Sequence, residues 1–100
     1  MAKTITLTFN GTTVQHQLGS KAESNPTFRA NRINALKAGL VEKFAVQRLL
    51  ADGIISEDNL VVNEDGQLTY HLLTKSVSPS VVKQLDDLID KFASQVVVED

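Results

Sequence analysis

The sequence predicts one α+β domain over residues 1–100, with two β-hairpins, one or two central helices and a C-terminal amphipathic helix. Three observations lead to this fold class. Alternating polar and apolar residues flank Asn10-Gly11, and a second alternating stretch flanks a turn that ends at Gly66. Two segments with apolar residues at helical spacing follow Asn25-Pro26 and Ser78-Pro79. The order ββ-α(α)-ββ-α is typical of a two-layer domain.

The first hairpin is indicated by Asn10-Gly11, the strongest turn signal in the chain. An Asn-Gly pair suits a type I′ turn because both of its central residues need a positive φ. A two-residue turn pairs Phe9 with Thr12. It also pairs Leu7 with Val14 and Ile5 with His16, so that one face is apolar and the other carries Thr and Gln. Residues 19–24 are predicted to form a short loop.

The segment from Asn25 to Ala51 is predicted to be helical. Asn25 suits the N-cap and Pro26 the first helical position. Gly39 costs about 1 kcal/mol inside a helix, and the apolar face rotates after it, so a kink or break is favoured over one straight helix. Asp52-Gly53 is predicted to end the segment, with Gly53 in the left-handed region. The first apolar stripe spans about 80° on a helical wheel and consists of Ile33, Leu36, Leu40 and Phe44.

The second hairpin is predicted from residues 60–62 and 67–73. A three-residue turn with Gly66 in a left-handed bulge position sorts the apolar residues better than a two-residue turn. The side chains expected on one face are Leu60, Val62, Leu68, Tyr70 and Leu72. Strand alternation predicts that Tyr70 and His71 point to opposite faces.

The last helix is the most strongly amphipathic stretch, and Ser78-Pro79 is predicted to open it. Its acidic residues lie opposite an apolar stripe, which we expect to pack on the sheet or on a second copy. Residues 96–98 are expected to fray or to add a short strand. The stripe consists of Val81, Val82, Leu85, Leu88, Ile89, Phe92 and Val96.

The charges are divided between the two halves of the chain. Residues 1–50 carry seven basic and two acidic side chains, a net charge of +5, whereas residues 51–100 carry three and ten, a net charge of −7. Such asymmetry bears on partners and self-assembly rather than on fold. The start of the chain lacks a secretory pattern and no apolar run approaches about 20 residues. We therefore expect a soluble protein of the cytoplasm or of a virion, without a membrane partner.

The sequence offers no motif for catalysis or for a cofactor. Cysteine is absent, which excludes disulfides, zinc thiolates and cysteine nucleophiles. His16 and His71 lie in different predicted strands, and a metal would need further converging ligands. The acidic turn at 63–66 lacks the spacing of a calcium loop, and Asp86, Asp87 and Asp90 lie on a wet helix face. We expect a non-enzymatic protein with no catalytic residue, metal or cofactor.

Three basic residues form the candidate partner-binding face. Arg29, Arg32 and Lys43 lie within about 60° of one another on a helical wheel. Such a face suits either an acidic protein surface or the phosphates of a nucleic acid. The acidic balance of the whole chain favours the protein surface.

The stretch from Ala45 to Leu73 runs from a helix through Asp-Gly into a hairpin, and it resembles the recognition helix and wing of a winged-helix domain. That resemblance implies the alternative function, nucleic-acid binding through the basic segment 25–51. The tip of the would-be wing, residues 63–66, is acidic where phosphate contact calls for Lys or Arg.

The predicted function is a non-enzymatic protein-interaction or structural module. Opposite charges in the two halves suit head-to-tail self-association or docking to a partner of matching polarity. Small chains of this kind are common among phage and mobile-element products, so an assembly subunit of such origin is the expected class of gene.

Overall fold

The structure is a computed structural model that describes residues 3–99, and it confirms the α+β fold class. The described residues form two antiparallel sheets and three α-helices, with short 3₁₀ turns at Glu57–Asn59 and Thr74–Ser76. In chain order the elements are β1 (Lys3–Phe9), β2 (Thr12–Leu18), α1 (Ser20–Ser24), α2 (Pro26–Ala51), β3 (Leu60–Val62), β4 (Leu68–Leu72), α3 (Pro79–Ala93) and β5 (Val97–Glu99).

The first sheet has the strand order β2-β1-β5, with β1 in the middle. The predicted hairpin register is confirmed, and Asn10 and Gly11 have φ values of 50° and 78°, as a type I′ turn requires. Ile5 and Leu7 are fully buried. The C-terminal residues take the strand alternative, because β5 pairs antiparallel with β1 and places Val98 opposite Leu7.

The predicted loop over residues 19–24 is wrong, because Ser20–Ser24 form the short helix α1. Ala22 explains the difference: it is 1% exposed and packs in the same cluster as Leu18 and Val41. One turn of helix brings this methyl group into the core, and a segment of five residues is too short to show apolar periodicity.

The central segment is one uninterrupted helix, α2, so the favoured kink or break near Gly39 is corrected. The caps are as predicted. The Asn25 side chain accepts the N–H of Phe28 at 3.1 Å. At the other end, the N–H of Ile54 donates to the carbonyl of Leu49 at 3.0 Å while Gly53 has a φ of 73°, which is a Schellman ending. The apolar face rotates because the two halves of α2 meet different neighbours.

Two hydrophobic clusters lie along α2. The first joins β1 and β2 to the N-terminal half of α2, and its residues with at most 1% exposure are Ile5, Leu7, Leu18, Ala22 and Val41. The second joins the C-terminal half of α2 to β3 and α3 and includes Ala45, Val46, Leu49, Leu60 and Leu85. Ile89 and Phe92 of α3 pack against both clusters.

The second sheet pairs β3 with β4 around the predicted three-residue turn. The N–H of Asn63 donates to the carbonyl of Gln67 at 2.9 Å, and Gly66 has a φ of 80°. Beyond the turn the register shifts, because Leu60 pairs with Leu72 while Val62 pairs with Leu68. Val62 lies opposite Leu68 and so shares its face, as predicted, but next to the turn it is 54% exposed.

Helix α3 packs its apolar stripe chiefly on α2, which corrects the expectation that the stripe covers the sheet or a second copy. Leu85 is buried in the second cluster, with Val81 and Leu88 against it, whereas Val82 is half-buried outside both clusters. Asp86, Asp87 and Asp90 are exposed, as predicted. Within residues 3–99, no helix combines the length and the hydropathy that a membrane crossing requires.

Candidate protein-docking surface

The described part of the chain contains no cluster of three or more side chains suited to hold a metal, and it buries no polar or charged residue. His16 is half-buried on β2, and His71 lies on β4, where its Nδ1 is 2.8 Å from Oε1 of Glu42. The two histidines therefore belong to different sheets. Without a sheltered acid, base or nucleophile in this part of the chain, the geometry directs attention to surfaces rather than to an enclosed site.

The predicted basic face is divided in the structure. Arg29 and Arg32 lie in one turn of α2, where Arg29 is half-buried and Arg32 is exposed. Lys43 lies fourteen residues after Arg29, or about 21 Å farther along the helix. Its Nζ is 5.6 Å from the centre of the Tyr70 ring on β4. Lys43 is therefore associated with the second hairpin, and only Arg29 and Arg32 lie close together.

Strand β2 forms one edge of the first sheet, with β1 on its inner side and no strand of residues 3–99 on its outer side. In a two-residue hairpin the pair that flanks the turn exchanges hydrogen bonds, and such pairs then alternate along the strands. The register therefore directs the backbone N–H and carbonyl groups of Val14 and His16 toward β1. Those of Thr13, Gln15 and Gln17 point away from β1, toward the open edge.

The edge of β2 lacks the features that usually block the pairing of another strand. Sheet edges are commonly protected by charged residues, proline, bulges or shortness. Strand β2 reads Thr-Thr-Val-Gln-His-Gln-Leu, seven residues without charge or proline, and its register has no bulge. The opposite edge, β5, is only three residues long and carries Glu99. The two edges of the sheet are thus unequal, and β2 is the one suited to accept a strand.

A groove of about 290 Å³ follows the open edge of β2. It is lined by Val14 and His16 from β2 and by Ala35, Leu36, Gly39 and Leu40 from α2. Leu36 and Leu40 are half-buried and supply its apolar floor, whereas Ala35 and Gly39 are exposed. A Cβ built on Gly39 meets no atom within 4 Å. We call this groove, together with the outer edge of β2, the β2–α2 surface.

A second pair of grooves lies on the other side of α2, against α3. The larger, of about 390 Å³, reaches the aromatic cluster of Phe9, Phe44 and Phe92. Ring centroids in that cluster are 5.1 Å apart for Phe9 and Phe44 and 5.4 Å apart for Phe9 and Phe92. The rings pack edge-on or tilted against one another and belong to the first cluster. The larger groove therefore borders packed core, and neither groove is lined by an open strand edge.

Two adjacent residues of the irregular strand β4, Tyr70 and His71, both contact helix α2. Tyr70 has a φ of 55°, which is uncommon for an aromatic residue and interrupts the alternation of the strand. Tyr70 contacts Lys43 while His71 contacts Glu42, and these are consecutive residues of α2. Tyr70 packs against the second cluster whereas His71 is exposed, so these contacts do not contradict the prediction that the two side chains point to opposite faces. Through these contacts the second hairpin packs on the C-terminal half of α2.

Sequence reasoning missed the β2–α2 surface because edge position is a property of topology. Whether β2 ends the sheet depends on where β5 pairs, and β5 is three residues of a segment for which fraying and strand formation were both expected. One signal was present: residues 12–18 contain no charged residue and no proline. The pairing of β5 with β1 rather than with β2 turns that composition into an open edge.

Comparison with protein-family models, with curated proteins and with solved structures found no match to this chain. The winged-helix resemblance therefore stays a prediction, and the proposals below rest on the geometry of the chain itself.

Proposed function

We propose that this chain is a non-enzymatic protein-interaction module that binds an extended segment of its partner at the β2–α2 surface. The observation that carries the proposal is the open, uncharged, seven-residue edge of β2 beside an apolar groove. Strand addition of this kind gains affinity from main-chain hydrogen bonds and specificity from pockets that receive alternate side chains.

The surface divides those two tasks between β2 and α2. Thr13, Gln15 and Gln17 offer the backbone groups to which an added strand would bond. Alternate side chains of that strand would enter the groove over Leu36 and Leu40, and the others would lie beside the Thr and Gln face. Arg29 and Arg32, one turn of α2 before the groove, favour a partner with acidic residues near the bound strand.

Hydrogen exchange provides a direct test on the intact chain. The amides of Val14 and His16 point to β1 and should exchange slowly, whereas those of Thr13, Gln15 and Gln17 should exchange rapidly at protein concentrations where the chain is monomeric. A bound strand should slow exchange at the second set. An equal exchange rate at all these amides in the monomer would contradict the hydrogen-bond pattern on which the proposal depends.

Selection from a displayed library of random decapeptides supplies the binding probe. Gln15→Pro removes one outward N–H without removing a bond to β1, and it should abolish binding of the selected peptides. Gln15→Thr keeps the N–H at the same position and should preserve binding. If neither peptides nor a second copy of the chain bind at β2, the proposed function is wrong.

Nucleic-acid binding through residues 25–51 is the alternative function, and no specific observation favours it. Lys43 lies about 21 Å from Arg29 along α2, and the tip of the second hairpin carries exposed Glu64 and Asp65. A module that joins polypeptides through a sheet edge also fits an assembly subunit of a phage or a mobile element, the class of gene that the sequence leads us to expect.

A further inference from the structure

We infer that the strand added to β2 is the β2 of a second copy, in a two-fold symmetric dimer with a six-stranded sheet. This inference rests on the proposed function and identifies its partner. A single two-fold axis can pair β2 with the β2 of a second copy and, at the same time, bring matching residues of the two α2 helices together. Because one axis satisfies both elements, we choose a second copy over an unrelated peptide.

The strand is self-complementary about Gln15. Antiparallel pairing around that residue places Gln15 opposite its own copy and Val14 opposite His16. The outward groups of Thr13 then bond with those of Gln17, and Gln15 bonds with Gln15. No charged residue occurs in β2, so the pairing brings no like charges together, which would otherwise destabilise a cross-strand pair.

Helix α2 is self-complementary about the same axis. The groove sets Val14 and His16 beside residues 35–40 of α2, so an axis through Gln15 passes the helix near position 37. Residues equally far from that position then face each other. Ala35 faces Gly39 of the second copy, and Arg32 faces Glu42.

Charge and size both suit this contact. The four facing residues lie within about 80° on a helical wheel, on one side of α2. Arg32 is exposed and Glu42 is half-buried, and the two-fold axis produces the opposite-charge pair twice. Packed helices approach to about 8–10 Å, which small side chains permit, and the space around Gly39 is open.

A two-fold dimer also explains more of the surface than the head-to-tail arrangement that the charge asymmetry predicted. Head-to-tail joining of sheets would pair β2 with β5, which offers three residues instead of seven. It would also leave a β2 edge open at one end of any assembly that does not close into a ring. Pairing β2 with β2 covers both open edges in one closed complex.

Sedimentation equilibrium of the full chain over micromolar to millimolar concentrations tests the dimer. Gln15→Lys and Gln15→Glu should each weaken dimerisation by about two- to fivefold, because like charges oppose each other at the axis. An equimolar mixture of the two variants should form a heterodimer at least as tight as the wild type. Gln15→Pro should yield a monomer, and Gln15→Thr should dimerise normally.

A second charge exchange tests the register on α2. Arg32→Glu and Glu42→Arg should each weaken the dimer, and the double variant should recover it because the two positions again carry opposite charges, now exchanged. Lys91→Glu, the same charge change on α3, should have no effect. His71→Ala removes the partner of Glu42 in the second hairpin and should also leave the dimer intact. Circular dichroism checks that every variant is folded.

The outcomes separate this inference from the function on which it rests. A folded chain that stays monomeric up to millimolar concentration overturns the dimer, while peptide binding blocked by Gln15→Pro would still support the proposed function. A dimer that Gln15→Pro leaves intact overturns the assignment to β2. A dimer lost in Gln15→Pro but not recovered by either charge exchange overturns the two-fold register.

Discussion

The two halves of α2 differ in how fully they are covered. The C-terminal half lies between α3 and the second hairpin, which enclose Ala45, Val46 and Leu49 to 1% exposure or less. The N-terminal half rests on the first sheet through Ile33 and Leu36, and its opposite side is open at Ala35 and Gly39. One helix thus serves as core at one end and as a surface at the other.

This difference shows where a single-domain protein of this size has room for a binding function. In the covered half, every change to an inward side chain disturbs packing between elements. In the open half, the exposed positions Ala35 and Gly39 can change with little effect on the core, so the proposed binding could be altered there at little cost in stability. The following predictions test that contrast, from the largest expected effect to the smallest.

Truncating one leucine in each half should separate the two halves most clearly. Leu49 is 1% exposed, and Leu49→Ala should lower the free energy of unfolding by about 2–5 kcal/mol. Leu36 is half-buried beside the groove, and Leu36→Ala should lower it by about 1–2 kcal/mol. Urea denaturation of both variants gives the comparison. Equal losses would contradict the view that the N-terminal half is less enclosed.

The same Gly→Ala change should have opposite effects on stability at two positions, one inside α2 and one just beyond its C-terminal cap. Gly53 has a φ of 73° at the end of the covered half, so Gly53→Ala should destabilise by about 1–2 kcal/mol. Gly39 lies inside the helix with open space around it, so Gly39→Ala should stabilise the monomer by about 0.5–1 kcal/mol.

Thermal unfolding at concentrations where the chain is monomeric measures both glycine variants. A destabilised Gly39→Ala monomer would show that the groove is more tightly filled than the structure indicates. Gly39 faces Ala35 in the inferred dimer, so the added methyl group of Gly39→Ala should also weaken dimerisation. Sedimentation equilibrium of the same variant at higher concentration measures that effect.

The exposed face of α3 should respond to pH only weakly. A hydrogen bond from Lys83 to Asp87 at 2.9 Å, and then the charge of Asp87, raise the pKa of Lys83 above its ordinary 10.5. A raised pKa means that the stabilisation is complete below about pH 10.5 and is lost as the pH rises through the folded value. The melting point of Lys83→Gln should therefore differ slightly from the wild type at neutral pH and converge with it in alkali.

The divided basic face should bind DNA poorly. A labelled random-sequence duplex in about 50 mM salt should show no binding tighter than about 100 μM, because few phosphates can be contacted at once. The triple variant with Arg29, Arg32 and Lys43 changed to Ala is the control. Micromolar binding that this variant abolishes would establish the winged-helix alternative and displace the proposed function.

Local chemistry made most of the elements predictable. The first hairpin followed from Asn10-Gly11, the start of α2 from Asn25-Pro26 and its end from Gly53, because each signal acts through the few residues around it. Elements decided by distant contacts were missed. The short helix α1 depends on the burial of Ala22. The shifted register of the second hairpin includes a left-handed Tyr70, and a non-glycine residue keeps that conformation only where its surroundings impose it.

The candidate site was less predictable than the fold. Arg29, Arg32 and Lys43 share an angular sector of a helical wheel, but the wheel ignores the distance along the axis that separates Lys43. The wheel could not show that the second hairpin would cover one half of α2 and leave the other half open. Glu42 was not singled out by its sequence context, and its place opposite Arg32 in the inferred dimer depends on where the groove lies.

The sequence by itself determined the number and order of hairpins, the caps of α2 and the apolar face of the first hairpin. These features depend on interactions between residues a few positions apart, and such interactions are the same whatever the tertiary surroundings. The tertiary structure alone decided that β5 would pair with β1, that α2 would remain one helix and that β2 would be left as an open edge. Those outcomes depend on which apolar faces meet, and burial of apolar surface is non-directional, so the pattern of a chain specifies that a face is covered without specifying by what.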